Sequence, residues 1–273
     1  MDRPLASLII SVYDRIDFLE VVLNSVRIQT ERRFEVIVSE DAEHPSMREF
    51  LQRYGYEGAL YHLTQADTGW RKNRALNRAV QFAHTDRLVF IDGDCVLHPR
   101  FMEMHIGKAE DKAILAGKRL KLDPESTRWL MADKGHIPTF QRYLARHWFP
   151  MRRAGCRFLE EGFFIDPRGP LGWVPRLRRI HQLKGCNISF SRQAILAING
   201  FDEDYVRPAI GEDIDLTWRF LRAGYTIKSV RNLAVQYHLH HKETWADQDE
   251  NHRLMLAKQA DDLYVCRHGL SQT

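Results

Sequence analysis

Short apolar runs alternate with amphipathic stretches over the first hundred residues of the chain. Runs rich in β-branched side chains occupy 8–12, 34–38 and 88–91, and polar residues follow each of them, as is typical of buried parallel strands. The stretch 71–83 has apolar residues at helical spacing, and so does the stretch between the first two runs, with Phe18, Leu19, Val22, Leu23 and Val26. This order predicts an α/β domain with a mostly parallel central sheet flanked by helices.

The pattern changes at residues 123–183, where aromatic residues are mixed with arginine, proline and glycine. That mixture favours an insertion or lid over another part of the core sheet. Regular patterning resumes at 185–190. A helix is predicted from Ile214 to Ala223, and Gly224 is a suitable residue to end it.

The length and composition exclude several classes of protein. With 273 residues and 44% hydrophobic residues, the chain is long enough for one large domain with a packed core. No apolar run approaches the roughly 18–20 residues of a membrane span, and the first run is interpreted as a strand rather than a signal peptide. The four cysteines form no CxxC pair. This favours a reducing, cytoplasmic location and argues against a disulfide framework or a structural zinc site.

The net charge of +4 conceals a basic stretch at 140–184, which is rich in arginine. Such a stretch suits an anionic lipid surface, a phosphate-bearing substrate or nucleic acid, although solvated arginines with ion pairs give the same pattern. The chain has no zinc-finger spacing, no RNP-like segment and no recognition-helix pattern. A nucleic-acid partner is therefore not expected.

Polar clusters follow all three predicted strands, as Tyr13-Asp14, Ser39-Glu40-Asp41 and Asp92-Gly93-Asp94. Ligands of open α/β sheets bind beyond the carboxyl ends of the strands, so the three clusters are candidates for one site. Acidic residues after a strand more often only solvate a loop. A turn at Gly93 would bring both neighbouring aspartates to one cavity, where carboxylates suit Mg²⁺ or Mn²⁺ bridging diphosphate oxygens.

Two more clusters occur in the second half of the chain. Glu212 and Asp213 open the predicted helix, where acids often serve only as caps; the alternative is a general base at the edge of a cleft. His238, His240 and His241 follow a β-like run. Strand alternation would place the first two on one face and His241 on the other. Imidazole beside carboxylates suits Mn²⁺ better than Mg²⁺.

Taken together, these segments resemble the family 2 glycosyltransferases, which have the GT-A fold, over nearly the whole chain. The stretch 90–95 matches the metal-binding DxD motif of that family, and 211–213 matches its glycine-acid-aspartate element. Residues 35–41 resemble the strand that ends in two aspartates, with a glutamate in the first place. Residues 65–71, followed by Asn77, resemble its glycine-aromatic-arginine segment.

The resemblance implies a set of site residues. Asp213 would be the catalytic base with Glu212 beside it, and Asp94, His238 and His240 would hold Mn²⁺ or Mg²⁺. Donor binding would fall to Ser11, Tyr13, Glu40, Asp41, Asp67, Arg71, Asn77, Asp92 and Gly93.

The resemblance also implies an activity and a domain plan. The protein would move a sugar, hexosyl or N-acetylhexosaminyl, from a nucleotide diphosphate, preferably UDP, to a glycan or lipid-linked hydroxyl in surface polysaccharide synthesis, with inversion. One GT-A domain would span 1–273, with a nucleotide-sugar-binding half at 1–122, an insertion or lid at 123–184, and an acceptor and catalytic half at 185–273.

Two alternative functions are considered. A sugar-nucleotide nucleotidyltransferase uses a related sheet but needs a glycine-rich phosphate loop after the first strand, and 11–15 contains no glycine. An inactive sugar-binding relative would have no reason to keep Asp92, Asp94, Asp213 and His238 together.

The basic segment 140–153 combines four arginines with several aromatic residues. One interpretation is an acceptor-side lid whose aromatic residues pack on the main domain. The other is peripheral attachment to the inner face of an anionic membrane, since aromatic and basic side chains favour the headgroup region.

Overall fold

The central sheet follows directly from the apolar runs of the sequence. In the computed structural model, which describes residues 3–208, 210–242 and 248–271 and omits the side chain of Glu212, the chain forms ten strands. They are β1 (Ala6–Val12), β2 (Phe34–Glu40), β3 (Leu60–Leu63), β4 (Arg87–Asp92), β5 (Cys95–Leu97), β6 (Ala113–Ala116), β7 (Leu120–Lys121), β8 (Ile188–Ser191), β9 (Thr226–Ser229) and β10 (Gln236–His238).

Seven of these strands form one sheet in the order β3-β2-β1-β4-β8-β6-β9. Strand β8 runs antiparallel to both of its neighbours, and the other pairs in the sheet are parallel. A smaller sheet has the order β5-β10-β7. The prediction of a mostly parallel sheet flanked by helices is confirmed.

Helices cover the sheet on both faces. They are α1 (Ile16–Arg27), α2 (Pro45–Arg53), α3 (Lys72–Phe82), α4 (Phe101–Gly107), α5 (Pro124–Ala132), α6 (Phe140–Arg146), α7 (Trp148–Arg153), α8 (Val174–Leu177), α9 (Arg192–Ala197), α10 (Ile210–Arg222) and α11 (Asp249–Ala260), with 3₁₀ turns at Lys134–Thr139 and Leu159–Gly162. Among the described residues, no helix combines the length and the apolar character that crossing a bilayer requires.

The alternation of side chains along each strand supplies two cores. Leu8 and Ile10 of β1 point into one core with the apolar face of α1, while Ile9 points into the other with Leu76 and Val80 of α3. A strand buried on both faces is apolar at every position rather than at every second one. This explains why β1 and β2 have apolar residues at adjacent positions, as in 8–10 and 36–38, and not only at every second position.

Helix α10 begins earlier than its apolar pattern predicted, at Ile210 rather than Ile214. It ends at Arg222, and Gly224 has a φ of 81°, a left-handed conformation that glycine adopts at low cost. The predicted end of the helix is therefore confirmed. The early start places Asp213 in the first turn of the helix.

Residues 123–184, all of which the structure describes, form helices and turns and add no strand to either sheet. One isolated β-bridge connects Arg157 to Lys121. The segment nevertheless shares the core beneath α1, because Leu130, Phe140 and Leu144 are fully buried there. The ring of Phe140 lies 4.5 Å from that of Tyr237 in β10. The expected packing of its aromatic residues onto the main domain is therefore observed.

Candidate active site

The polar clusters after β1, β2 and β4 meet at one edge of the large sheet. In the parallel registers, Ser11 lies opposite Ser39 on one side and opposite Asp92 on the other. Since β1 is the central strand of the three, its end connects the other two clusters. The predicted common location is thus a consequence of strand order.

Gly93 brings the DxD segment close to β1. Its N–H donates to the carbonyl of Ser11 at 2.8 Å, and a Cβ on this residue would lie only 2.6 Å from Val12 Cγ1. A side chain does not fit at this contact distance. Gly93 therefore serves packing of the backbone, while the aspartates on either side of it take different partners.

Asp92 is held between two cations. Lys72 Nζ, at the start of α3, lies 2.8 Å from one carboxylate oxygen, and Arg119 Nη1 lies 3.3 Å from the other. Neither cation was predicted from the sequence to belong to the site. Lys72 had a weak indicator, since it directly follows Arg71 at the start of a predicted helix. Arg119 belongs to no recognisable motif, and only the fold places it here.

Asp94 lies between two histidines. Its Oδ2 is 3.2 Å from His238 Nε2 and 3.1 Å from His241 Nε2. Burial by itself would raise the pKa of Asp94, but the two imidazoles hold that pKa well below its usual range. One carboxylate oxygen and two imidazole nitrogens therefore lie within 4.8 Å of one another, which is the arrangement of a small metal-binding cluster.

The expectation that His240 shares a face with His238 is wrong. Strand β10 ends at His238, so strict alternation does not continue through the next residues. The side chain of His240 is exposed, and its backbone N–H donates to Thr127 Oγ1 at 2.8 Å. His241, which alternation would place on the opposite face, turns back to Asp94.

Asp213 reaches the same region from the first turn of α10. Its carboxylate accepts a hydrogen bond from the backbone N–H of Gly185 and lies 3.4 Å from Lys184 Nζ. Burial raises the pKa of Asp213 above its ordinary value, and Lys184 opposes that rise. Asp92 and Lys72 also act on it electrostatically, so residues from the first and second halves of the chain lie at one cleft. The other predicted acid, Glu212, has its side chain outside the described part of the structure.

The segment 65–71 is fixed by Asp41. Its carboxylate accepts from the backbone N–H of Arg71 at 2.8 Å and from Gln65 Nε2 at 2.6 Å. Further out, Tyr13 donates from its hydroxyl to Asp67 at 2.9 Å, and both side chains are exposed. Asp41 thus orients the loop, whereas Tyr13 and Asp67 present accessible groups at the mouth of the cleft.

Glu40 occupies an interior position. Its carboxylate is buried and accepts from the backbone N–H of His44 at 2.8 Å, and its two oxygens lie 2.7 Å and 2.6 Å from ring nitrogens of His44 and His62. The side chain that the resemblance placed against a nucleotide base is thus enclosed by the protein. Its geometry supports a role in holding the end of β2.

Asn77 is also enclosed, although the resemblance places it among the donor-binding residues. It is 2% exposed, and its amide bonds both the N–H and the carbonyl of Phe201 at 2.8 Å as well as Glu203 at 2.9 Å. These bonds tie α3 to the 200–203 loop.

Asn77→Ala is expected to lower the free energy of unfolding by about 2–3 kcal/mol, because it leaves two buried backbone groups of Phe201 without partners. Urea denaturation measures this, with the exposed Arg74→Ala on the same helix as a control within about 0.5 kcal/mol of the wild type. An unchanged unfolding midpoint together with weakened nucleotide binding would instead make Asn77 a ligand-binding residue.

Solved structures share this architecture. A mannosyltransferase from Pyrobaculum calidifontis, in complex with GDP-Man and Mn²⁺, matches with a TM-score of 0.57 and 17% identity over 95% of this chain and 63% of its own. S. aureus TarS 1–349, in complex with UDP-GlcNAc, matches with a TM-score of 0.57 and 14% identity over 93% of this chain and 66% of its own. The molecule is therefore a GT-A α/β protein with a cleft at the strand ends that carries both acidic and basic side chains.

The family assignment follows from the sequence comparison. The model described as "Glycosyl transferase family 2" matches residues 7–163, and one described as "N-terminal domain of galactosyltransferase" matches residues 176–242. The chain belongs to glycosyl transferase family 2.

Similar sequences carry glycosyltransferase names. The validoxylamine A glucosyltransferases of two Streptomyces hygroscopicus subspecies, jinggangensis (strain 5008) and limoneus, are each 27% identical over 79% of this chain. The chain spans about half the length of these relatives, 51% of one and 48% of the other. The hyaluronan synthase of Pasteurella multocida is 20% identical over 85% of this chain and 24% of its own length.

Proposed function

We propose that this protein is an inverting, metal-dependent glycosyltransferase that moves a sugar from a nucleotide diphosphate to a hydroxyl group. The observation that carries the proposal is the convergence of the Asp94–His238–His241 cluster, Asp92 with its two cations and the partly buried Asp213 on one cleft. Its relatives named as glycosyltransferases support the reaction class.

The cluster around Asp94 has the donor set for a divalent cation. One carboxylate and two imidazoles suit Mn²⁺ better than Mg²⁺, which prefers oxygen ligands throughout. The structural neighbour from Pyrobaculum holds Mn²⁺ with its nucleotide sugar. A cation bound here would stabilise the negative charge that builds on the leaving diphosphate. We therefore assign the metal to Asp94, His238 and His241.

The nucleotide would lie across the ends of β1 and β4. Tyr13 and Asp67 offer an exposed ring and a carboxylate for the nucleoside, with Ser11 and the Gly93 backbone beneath it. Asp92 would contact ribose or the metal. Lys72, Arg119 and Arg71 would add positive potential for the diphosphate. Our preferred donor is a UDP-sugar, as in the TarS complex.

Asp213 has the position and environment of a general base. It takes the proton of the acceptor hydroxyl as that oxygen bonds to the anomeric carbon and the bond to the diphosphate breaks. A carboxylate with a raised pKa is a stronger base than an ordinary one, and such a group contributes about 10²–10⁴-fold to the rate. Lys184 and the Gly185 N–H hold it in place.

Calorimetric titration with UDP, with and without Mn²⁺, tests the proposal first. Manganese-dependent UDP binding, followed by UDP release from one of a panel of UDP-, GDP- and dTDP-sugars, is the expected result. Binding without turnover on any donor and acceptor would favour a sugar-binding relative. Pyrophosphate formation from a sugar phosphate and a nucleoside triphosphate would favour a nucleotidyltransferase.

We also propose that the acceptor is a glycan or lipid-linked glycan of a surface polysaccharide, reached at an anionic membrane. The arginines at 142, 146, 152 and 153 are exposed, and Phe149 is 76% exposed. Phe140 is buried in the core, so of these aromatic residues Phe149 is the one best placed to insert among headgroups. Each arginine adds about 1 kcal/mol near an anionic surface.

The protein is expected to sediment with anionic vesicles at low salt and to be released as salt screens the charges. Changing Arg142, Arg146, Arg152 and Arg153 to Gln should abolish sedimentation, while neutral vesicles serve as the lipid control. If the wild type stays in the supernatant with anionic vesicles at low salt, the membrane proposal fails and the segment is part of the acceptor side alone.

A further inference from the structure

Two thiols lie side by side beneath the candidate active site. The sulfurs of Cys95 and Cys186 and a carboxylate oxygen of Asp92 all lie within 4.8 Å of one another. Both cysteines are buried, and both are free in this structure. They come from distant parts of the sequence, one from the start of β5 and one from the turn before β8. Nothing in the proposed transfer reaction uses either thiol.

Each thiol is attached to a different half of the site. Cys95 follows Asp94 directly, and its Sγ donates to Asp94 Oδ1 at 3.2 Å. Cys186 follows Gly185, whose backbone N–H bonds the carboxylate of Asp213. Any bond between the two sulfurs therefore connects the metal-binding side of the cleft to the side that holds the proposed base.

The surroundings of the pair disfavour a second metal ion. Asp92, the third member of the group, already has Lys72 at 2.8 Å and Arg119 at 3.3 Å. Arg119 also acts electrostatically on both sulfurs. A cation bound here would be repelled by two fixed positive charges, whereas a neutral disulfide would not.

We propose that Cys95 and Cys186 form a reversible disulfide that switches the enzyme off under oxidising conditions. Hydrogen peroxide is the oxidant: one thiol attacks a peroxide oxygen, the O–O bond breaks, and a sulfenic acid and water are formed. The second sulfur then displaces the hydroxyl of the sulfenic acid as a second water, so two electrons pass from the sulfurs to the peroxide. Asp92, whose side chain is 23% exposed, connects the pair to the cleft through which so small an oxidant enters.

Closing the bond requires movement on one side. A disulfide has sulfurs about 2.05 Å apart, so the two sulfurs must approach each other. Cys95 is held by the ladder between β5 and β10, in register with His238. Cys186 lies in a turn outside both sheets, so we expect this turn to move when the disulfide forms. We expect Gly185 to withdraw from Asp213 and turnover to fall at least tenfold, a consequence that rests on the proposed function.

Peptide mapping under non-reducing conditions tests the disulfide independently of activity. After treatment of the full chain with hydrogen peroxide, the peptides containing Cys95 and Cys186 should appear joined, with two hydrogens lost, and should separate after reduction. Turnover, measured in parallel, should fall as the joined peptide accumulates and recover with the reductant.

Matched variants identify the sulfurs responsible. Cys186→Ser should give no joined peptide and should resist inactivation by peroxide, and Cys95→Ser provides the same test if the first variant folds poorly. Cys266→Ser, at a buried thiol elsewhere, should behave as the wild type. Absence of the joined peptide in oxidised wild type overturns the proposal, and so does stoichiometric Zn²⁺ binding that needs both thiols. A joined peptide with unchanged turnover would overturn the switch.

Discussion

Asp213→Asn should lower the turnover number by at least about 10²-fold and leave the affinity for UDP nearly unchanged. The amide has almost the shape of the carboxylate and keeps an oxygen for the Gly185 N–H, but it cannot accept a proton at neutral pH. Steady-state rates under saturating donor, together with UDP titration, measure the two quantities separately. A fall in UDP affinity without a fall in turnover would make Asp213 a donor-binding residue.

A matched control for Asp213 lies on the same helix. Asp215 is buried, with its carboxylate 3.0 Å from the Tyr205 hydroxyl and 3.4 Å from Arg219, on the side away from the cleft. Asp215→Asn should lower thermal stability while turnover per folded molecule changes by less than tenfold. Equal losses of turnover in both variants would indicate a general effect of negative charge in the first two turns of α10.

The pH dependence of turnover provides a second measurement on Asp213. Burial raises the pKa of this carboxyl, and the base acts only when deprotonated, so activity is lost as pH falls through that raised pKa. The acid limb should therefore lie above the value of about 3.9 for an ordinary aspartate. Lys184→Met removes a charge that opposes the rise, and it should move the limb to higher pH.

Asp94→Ala and His241→Ala should each abolish Mn²⁺-dependent transfer, with a loss of at least about 10²-fold. Asp94 is the shared partner of both histidines, and a bound cation supplies several kcal/mol of stabilisation to a charged leaving group. Titration calorimetry with Mn²⁺ alone measures the affinity of the site for the metal without relying on activity.

The neighbouring histidine gives this prediction its control. The side chain of His240 is exposed and lies outside the cluster, so His240→Ala should bind Mn²⁺ and turn over as the wild type does. If His240→Ala loses the metal and His241→Ala retains it, our ligand assignment is wrong. Full activity of the wild type in excess chelator would remove the metal from the mechanism altogether.

The parts of the fold that could be predicted are those whose burial leaves a pattern in the chain. The central parts of β1, β2 and β4 are apolar at adjacent positions because these strands are covered on both faces. Helices α1 and α3 cover one face each, which gives a period near 3.6. The short strands β6 and β7 and the 3₁₀ turns were not predicted, because an element of so few residues is too short to show a hydrophobic period.

The sequence by itself determined the strand-end clusters, and with them Asp92 and Asp94 as members of the candidate site, because the carboxyl ends of parallel strands must meet at one edge. Asp213 and His238 entered the candidate site through the resemblance to family 2 glycosyltransferases. The tertiary structure decided the partners of those residues. Arg119, which belongs to no sequence motif, lies beside Asp92 only because of the fold. Strand β10 ends at His238, so His241 and not His240 lies beside Asp94. Glu40 and Asn77 became interior groups. The physical reason is that the hydrophobic pattern of a sequence indicates which residues are buried. Side-chain contacts depend instead on how helices and strands that are distant in the sequence pack together.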